Sequence, residues 1–165
     1  MTLFEYLAVA FSIVLGFSVT HLLGSVRSVL DANRRYSIHV GFFFFLVLLH
    51  PQLWWALWDL HDDAPWNLLT FFYTLVGPSL LYLAATSIVP IDRSFRGRWE
   101  DHFNSSRPWI YGFIAAYSLW GIGEVLWVFQ VSLFHPYRFV QISMFLVAMT
   151  GAVARSSRVD RYAVP

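Results

Sequence analysis

The sequence has no cysteine and no lysine. Without cysteine there are no disulfides and no thiolate chemistry. Charge is scarce too. Only 13% of the 165 residues are Asp, Glu, Lys or Arg, against about 25% in a soluble domain. That is too little to coat a globular surface. The net charge of +1 offers no cationic face to nucleic acid. Cofactor and catalytic signatures are also missing. There is no Cys-x-x-Cys-His, no glycine-rich phosphate loop and no Ser-His-Asp order worth pursuing. Catalysis is therefore the less expected class, and no cofactor is expected.

What the chain has instead is apolar length. It is 58% hydrophobic and 19% aromatic, with 16 Phe and 8 Trp, and its mean hydropathy is +0.56. A helix needs about 20 apolar residues to cross the hydrocarbon core of a bilayer. Five stretches meet that need: 3–26, 38–60, 66–89, 109–131 and 137–154. The expected fold is an all-α integral membrane bundle of five transmembrane helices in a single domain. The first stretch carries Glu5 and no positive charge at its start, so it reads as a retained helix and not as a cleaved signal peptide.

Polar breaks separate the stretches. Asp31-Ala-Asn-Arg-Arg35 ends the first hairpin. Asp62-Asp63-Ala-Pro65 places a capping Asp and a first-turn Pro before the third helix. Pro90 stops that helix, Ser105-Ser106-Arg107-Pro108 opens the fourth, and His135-Pro136 precedes the fifth. Ten of the eleven arginines fall on one side of this layout, with only Arg138 opposite. By the positive-inside rule the Arg-rich side is cytoplasmic, the N-terminus lies outside and the C-terminus inside.

Some segments look familiar. They are Ser12-Ile-Val-Leu-Gly16 with Thr20-His21-Leu-Leu23, then Trp54-Trp55, then Leu81-Tyr-Leu83 followed by Pro90. On these residues, over roughly the first ninety positions, the chain resembles an uncharacterised family of small multi-pass bacterial inner-membrane proteins. The resemblance implies the bacterial inner membrane as location and supplies no catalytic residues.

Four constellations are candidates for function. Ala8, Ser12, Gly16, Thr20, Gly24 and Ser28 form a ridge of small residues at every fourth position of the first span. Such a ridge lets another helix approach closely. It reads either as packing within the chain or as the seam of a homo-oligomer. His39, His50 and His61 recur every eleventh residue, near three full turns, and so share a helix face. They read either as a proton path or as two interfacial histidines and one satisfied core histidine.

Glu124 is the third candidate. It sits about 10 Å inside the outer end of its span, at 1.5 Å per residue. A carboxyl there must be paired or protonated. Tyr117 and Trp120 share its face. His50 is the expected partner, with Gln52, Gln130 and Gln141 as further ones. The fourth candidate, His61-Asp62-Asp63 with Asp59, reads as a solvated acidic loop sooner than as a metal site. A bis-histidine haem could in principle use His21 and His39 near the inner side, with nothing specific in support.

Two function classes follow. The leading one is proton or small-cation handling, with or without a coupled solute. Glu124 would titrate beside His50, with Gln52 and Tyr117 around them. The competing one is a non-catalytic membrane subunit. It would oligomerise through the small-residue ridge and bind a cytoplasmic or membrane protein partner. In both, the lipid bilayer is the surrounding solvent.

Overall fold

The computed structural model describes residues 3–59, 67–92, 95–123 and 136–153. All regular structure among them is helical: α1 (Leu3–Leu23), α2 (Val26–Val29), α3 (Ser37–Asp59), α4 (Leu68–Ile88), α5 (Trp99–Gly123) and α6 (Pro136–Val153). Three helices are long and apolar enough to cross a membrane: Phe4–Leu23, Ser37–Leu57 and Leu68–Ile88. Each is about 30 Å long at 1.5 Å per residue, the thickness of the hydrocarbon core.

These helices are apolar on the outside as well as the inside. Phe17 is 65% exposed, Leu48 68% and Leu69 65%, while Leu7, Phe11, Phe43 and Leu46 are fully buried. In water such a surface would lose about 25 cal/mol for each Å². Against acyl chains it loses nothing, and the helical backbone satisfies its own polar groups.

Helix α4 is the hub. It packs against α1, α3 and α5, and α6 packs on α5. Its start differs from expectation. The cap is Asn67, not Asp62 or Asp63. The Asn67 side chain accepts from Leu69 N at 2.9 Å and Thr70 N at 3.1 Å. In return the Thr70 hydroxyl accepts from Asn67 N at 2.9 Å. This reciprocal box satisfies donors that a helix start otherwise leaves open. The expected Asp62-Asp63-Ala-Pro65 head lies outside the described residues.

The other end behaves as the sequence requires. Val89 is extended, with φ −127° and ψ 120°, because the ring of Pro90 disfavours helical backbone in the residue before it.

Two more boundaries move. Helix α1 stops at Leu23, and a turn at Gly24-Ser25 leads into the short α2. Helix α5 begins at Trp99 and not near 109, so Pro108 lies inside it. The added turns are amphipathic. Trp99, Phe103 and Ile110 are buried while Asp101, Asn104 and Ser105 are exposed. Glu100 and Asp101 in the first turn suit the positive end of the helix dipole. Pro108 removes one backbone bond, and the acceptor it leaves belongs to Asn104, an exposed residue.

The glycine contacts show how tightly α4 and α5 meet. A Cβ on Gly77 would collide with the Trp120 indole, and one on Gly123 with the Tyr73 hydroxyl. The same two aromatics exchange hydrogen bonds. Tyr73 donates to Trp120 O at 3.0 Å, and Trp120 Nε1 donates to Tyr73 O at 2.8 Å. Each ring thereby gives its polar tip a partner inside an apolar interface.

Candidate functional site

The small-residue ridge of α1 faces outward. Ser12, Gly16, Thr20 and Gly24 are exposed, Ala8 and Ser28 are half-buried, and a Cβ on Gly16 would meet open space. Contacts within the chain are made by the opposite face, through Leu7, Phe11, Leu15, Ser18 and Leu22. Of the two readings the sequence offers, packing within the chain is not made by the middle of the ridge among the described residues. Large side chains on that inner face fill the space against α4 and α3, so small ones are not needed there.

His50 is buried, as a core histidine would be, and its partners are specific. Its Nδ1 lies 2.7 Å from Leu46 O and its Nε2 2.6 Å from Ser18 Oγ. A carbonyl can only accept, so Nδ1 carries the proton. In the neutral ring Nε2 is then an acceptor and takes the Ser18 hydroxyl proton. Both nitrogens are thereby committed, and α1 is tied to α3 in mid-helix. Glu124, the expected partner, lies outside the described residues. Gln52 is exposed on another face of α3 and does not join His50. Tyr117 is buried on α5 with its ring 5.7 Å from Trp120. The Gln141 amide nitrogen rests 2.8 Å from where a Cβ on Gly121 would stand. The buried Oε1 of Gln141 has no partner among the described residues.

The expected histidine line breaks between its members. His39 and His50 do share the buried face of α3. Phe43 and Leu46, both fully buried, occupy that face between them. His61 lies outside the described residues.

The densest polar construction is one that sequence reasoning missed. The last turn of a helix leaves carbonyls without donors, and Pro90 has no N–H to offer. At α4 these carbonyls are taken by three histidines from three other helices. His102 Nε2 on α5 reaches Ser87 O at 3.2 Å. His39 Nε2 on α3 reaches Ile88 O at 2.9 Å, and His21 Nε2 on α1 reaches Val89 O at 2.9 Å. Each Nε2 must be the donor, because each partner is a carbonyl. The collar also meets the negative end of the α4 dipole, where donors are favoured. Two signals were present in sequence: a helix ended by proline, and histidines at the matching level of three spans. The third of these, His102, was hidden by starting α5 too late.

Aromatic rings close the collar. His39 stacks on Trp99 with centroids 4.6 Å apart, and His102 lies 5.3 Å from Phe95. Trp99 Nε1 donates to Ser28 O at 2.8 Å, joining α5 to α2. Arg34 donates to Phe95 O at 3.1 Å and to Gly97 O at 2.8 Å, with its guanidinium 5.3 Å from the Phe95 ring centroid. Burial pushes the His102 imidazole below its usual range, opposed by its bonds to the Ser87 and Ile88 carbonyls.

These arrangements bear on metal and haem chemistry. Among the described residues no group of three His, Asp or Glu side chains is arranged to hold a metal ion. The His61-Asp62-Asp63 candidate lies outside them. His21 and His39 each spend Nε2 on a carbonyl, so a haem would have to break two helix-capping bonds to use those atoms. Compared with protein-family models, curated proteins and solved structures, the chain matches none.

Proposed function

We propose that this chain is a five-span protein of the bacterial inner membrane that acts by association and not by catalysis. A second copy packs on the small-residue ridge of α1. The Arg-rich end faces the cytoplasm and the N-terminus faces out, as the distribution of arginines implies. One observation carries the association reading. Ser12, Gly16, Thr20 and Gly24 stand on the outside of α1 with room beside Gly16, while His50 and the Nε2 of His39 are engaged in helix-to-helix bonds. A ridge of small residues is self-complementary. Two copies related by a two-fold axis bring ridge to ridge and let the backbones approach closely.

The direct test is cysteine cross-linking in membranes, on a chain that has no cysteine of its own. Single cysteines at Ser12, Gly16 and Thr20 are expected to form disulfide dimers. A monomer at all three positions would defeat the reading.

Proton or small-cation handling at Glu124 is a second reading, favoured by the buried Oε1 of Gln141, which has no partner among the described residues. A protonated carboxyl is a donor such an acceptor would take. Under this reading Glu124→Gln abolishes proton flux in proteoliposomes with the fold intact. Unchanged flux, or no flux in the parent protein, would remove it.

A further inference from the structure

Helices α3 and α6 stand apart across α5, and no α1 residue lines the space between them. They leave an open trough of about 690 Å³. Gly41, Phe42 and Phe45 form one wall, Met144 and Ala148 the other, with Ile114 on the floor. On α3 the lining runs from Ile38 to Phe45, about 10 Å at 1.5 Å per residue. The trough therefore fits within one leaflet, about 15 Å deep, and it lies at the end where α3 begins and the arginines cluster. At that end the Arg107 guanidinium sits 5.4 Å from the centroid of the Tyr111 ring, which lines the trough. Arg35 is exposed on the turn leading into α3. Glu100, the carboxylate one residue into α5, is held by Arg98 at 2.6 Å.

We propose that this trough holds one anionic glycerophospholipid of the cytoplasmic leaflet, its acyl chain over Gly41 and its phosphate at Arg107. The proposal rests on the membrane-spanning reading and is independent of the α1 seam. The shape selects a chain over a helix. A partner helix about 10 Å across would want small residues along a full span, and here Phe42 and Phe45 crowd a site about a third of the hydrocarbon core high. The charge selects the headgroup: among the described residues Arg107, beside the lining residue Tyr111, and Arg35, on the turn into α3, bring positive charge to that end. Gly41 supplies the space, since a Cβ there would touch nothing within 4 Å.

Native mass spectrometry of the detergent-solubilised protein tests this, with phosphatidylglycerol and phosphatidylcholine of identical chains as probes. One phosphatidylglycerol is expected to be retained about fivefold better than phosphatidylcholine, the order of one basic residue acting on an anionic headgroup. Arg107→Gln should level the two while keeping a lipid bound. Gly41→Phe should displace both with the thermal transition unchanged. Should Gly41→Phe fail to fold, Val147→Trp, at an exposed position of the other wall, makes the same test. Equal retention of the two lipids by the parent protein, or undiminished phosphatidylglycerol in a folded plugged variant, would overturn the proposal. Recovery of the protein without detergent would instead overturn the membrane reading beneath it.

Discussion

Ser18 donates its hydroxyl proton to His50 Nε2 across 2.6 Å, and the bond crosses from α1 to α3 where both residues are cut off from solvent. Its energetics follow from what each partner loses alone. Ser18→Ala leaves a buried imidazole nitrogen unsatisfied, and His50→Leu leaves a buried hydroxyl without its acceptor. Either single change should cost about 1–3 kcal/mol. The double variant should cost less than the sum, by about 0.6–2 kcal/mol, the range of hydrogen bonds between membrane helices. Thermal unfolding of the four proteins in detergent gives the coupling. Strict additivity would mean that the pair does not interact.

The collar at the end of α4 makes a second expectation. His39→Ala, His21→Ala and His102→Ala each strip a donor from one carbonyl in the turn before Pro90. The largest loss, about 1–3 kcal/mol, is expected for His39, because Ile88 is fully buried and His39 also loses its stacking on Trp99. Hydrogen exchange over 80–92 should rise in all three variants. Unchanged exchange would show that the carbonyls are satisfied by other means.

His102 makes the bundle sensitive to acid. Burial, the larger cause, holds its folded pKa below the ordinary 6.5. The unfolded chain therefore binds the proton first as pH falls. The contribution of His102 is complete above the unfolded value, and it shrinks as pH drops through 6.5 toward the folded value. His102→Gln keeps a donor for the Ser87 carbonyl and removes the titration. The variant should lose part of the parent's decline in melting temperature between pH 7.5 and 5. Parallel melting curves for the two proteins would contradict this.

The glycines divide into two groups. Gly77→Ala and Gly123→Ala put a methyl into the Trp120 indole and the Tyr73 hydroxyl, and should destabilise by about 1–3 kcal/mol, the cost of overpacking. Gly16→Leu meets nothing inside the chain. It should leave the melting temperature of the monomer in detergent unchanged and weaken only the association of copies. Melting temperatures and size-exclusion profiles of the three variants separate these effects.

The outline of the bundle was legible because apolar length is a property of composition. The stretches 3–26, 38–60 and 66–89 announce themselves without any knowledge of their neighbours, and the three helices long enough to cross a membrane fall on them. Boundaries were less legible where polar residues belong to helices. Trp99 to Arg107 reads as loop until Trp99 and Phe103 are seen to share a face with Ile110. Orientation about a helix axis was least legible. The outer and inner faces of α1 are both apolar, so hydrophobic pattern does not reveal that Gly16 points out and Leu15 in. The partner of His50 was missed for a related reason. A lone serine such as Ser18 in an apolar run carries no mark of what it bonds, whereas Glu124 draws attention by its charge.

The association of α1 with a second copy is tested most directly by scanning single cysteines along its outer face in native membranes. Ser12→Cys, Gly16→Cys and Thr20→Cys are expected to form disulfide dimers readily. Phe17→Cys and Tyr6→Cys, exposed but about 80–100° around the helix from Gly16 at 100° per residue, should form few. Equal cross-linking at Phe17 and Gly16 would reduce the ridge to random collision, and none at any position would contradict the account.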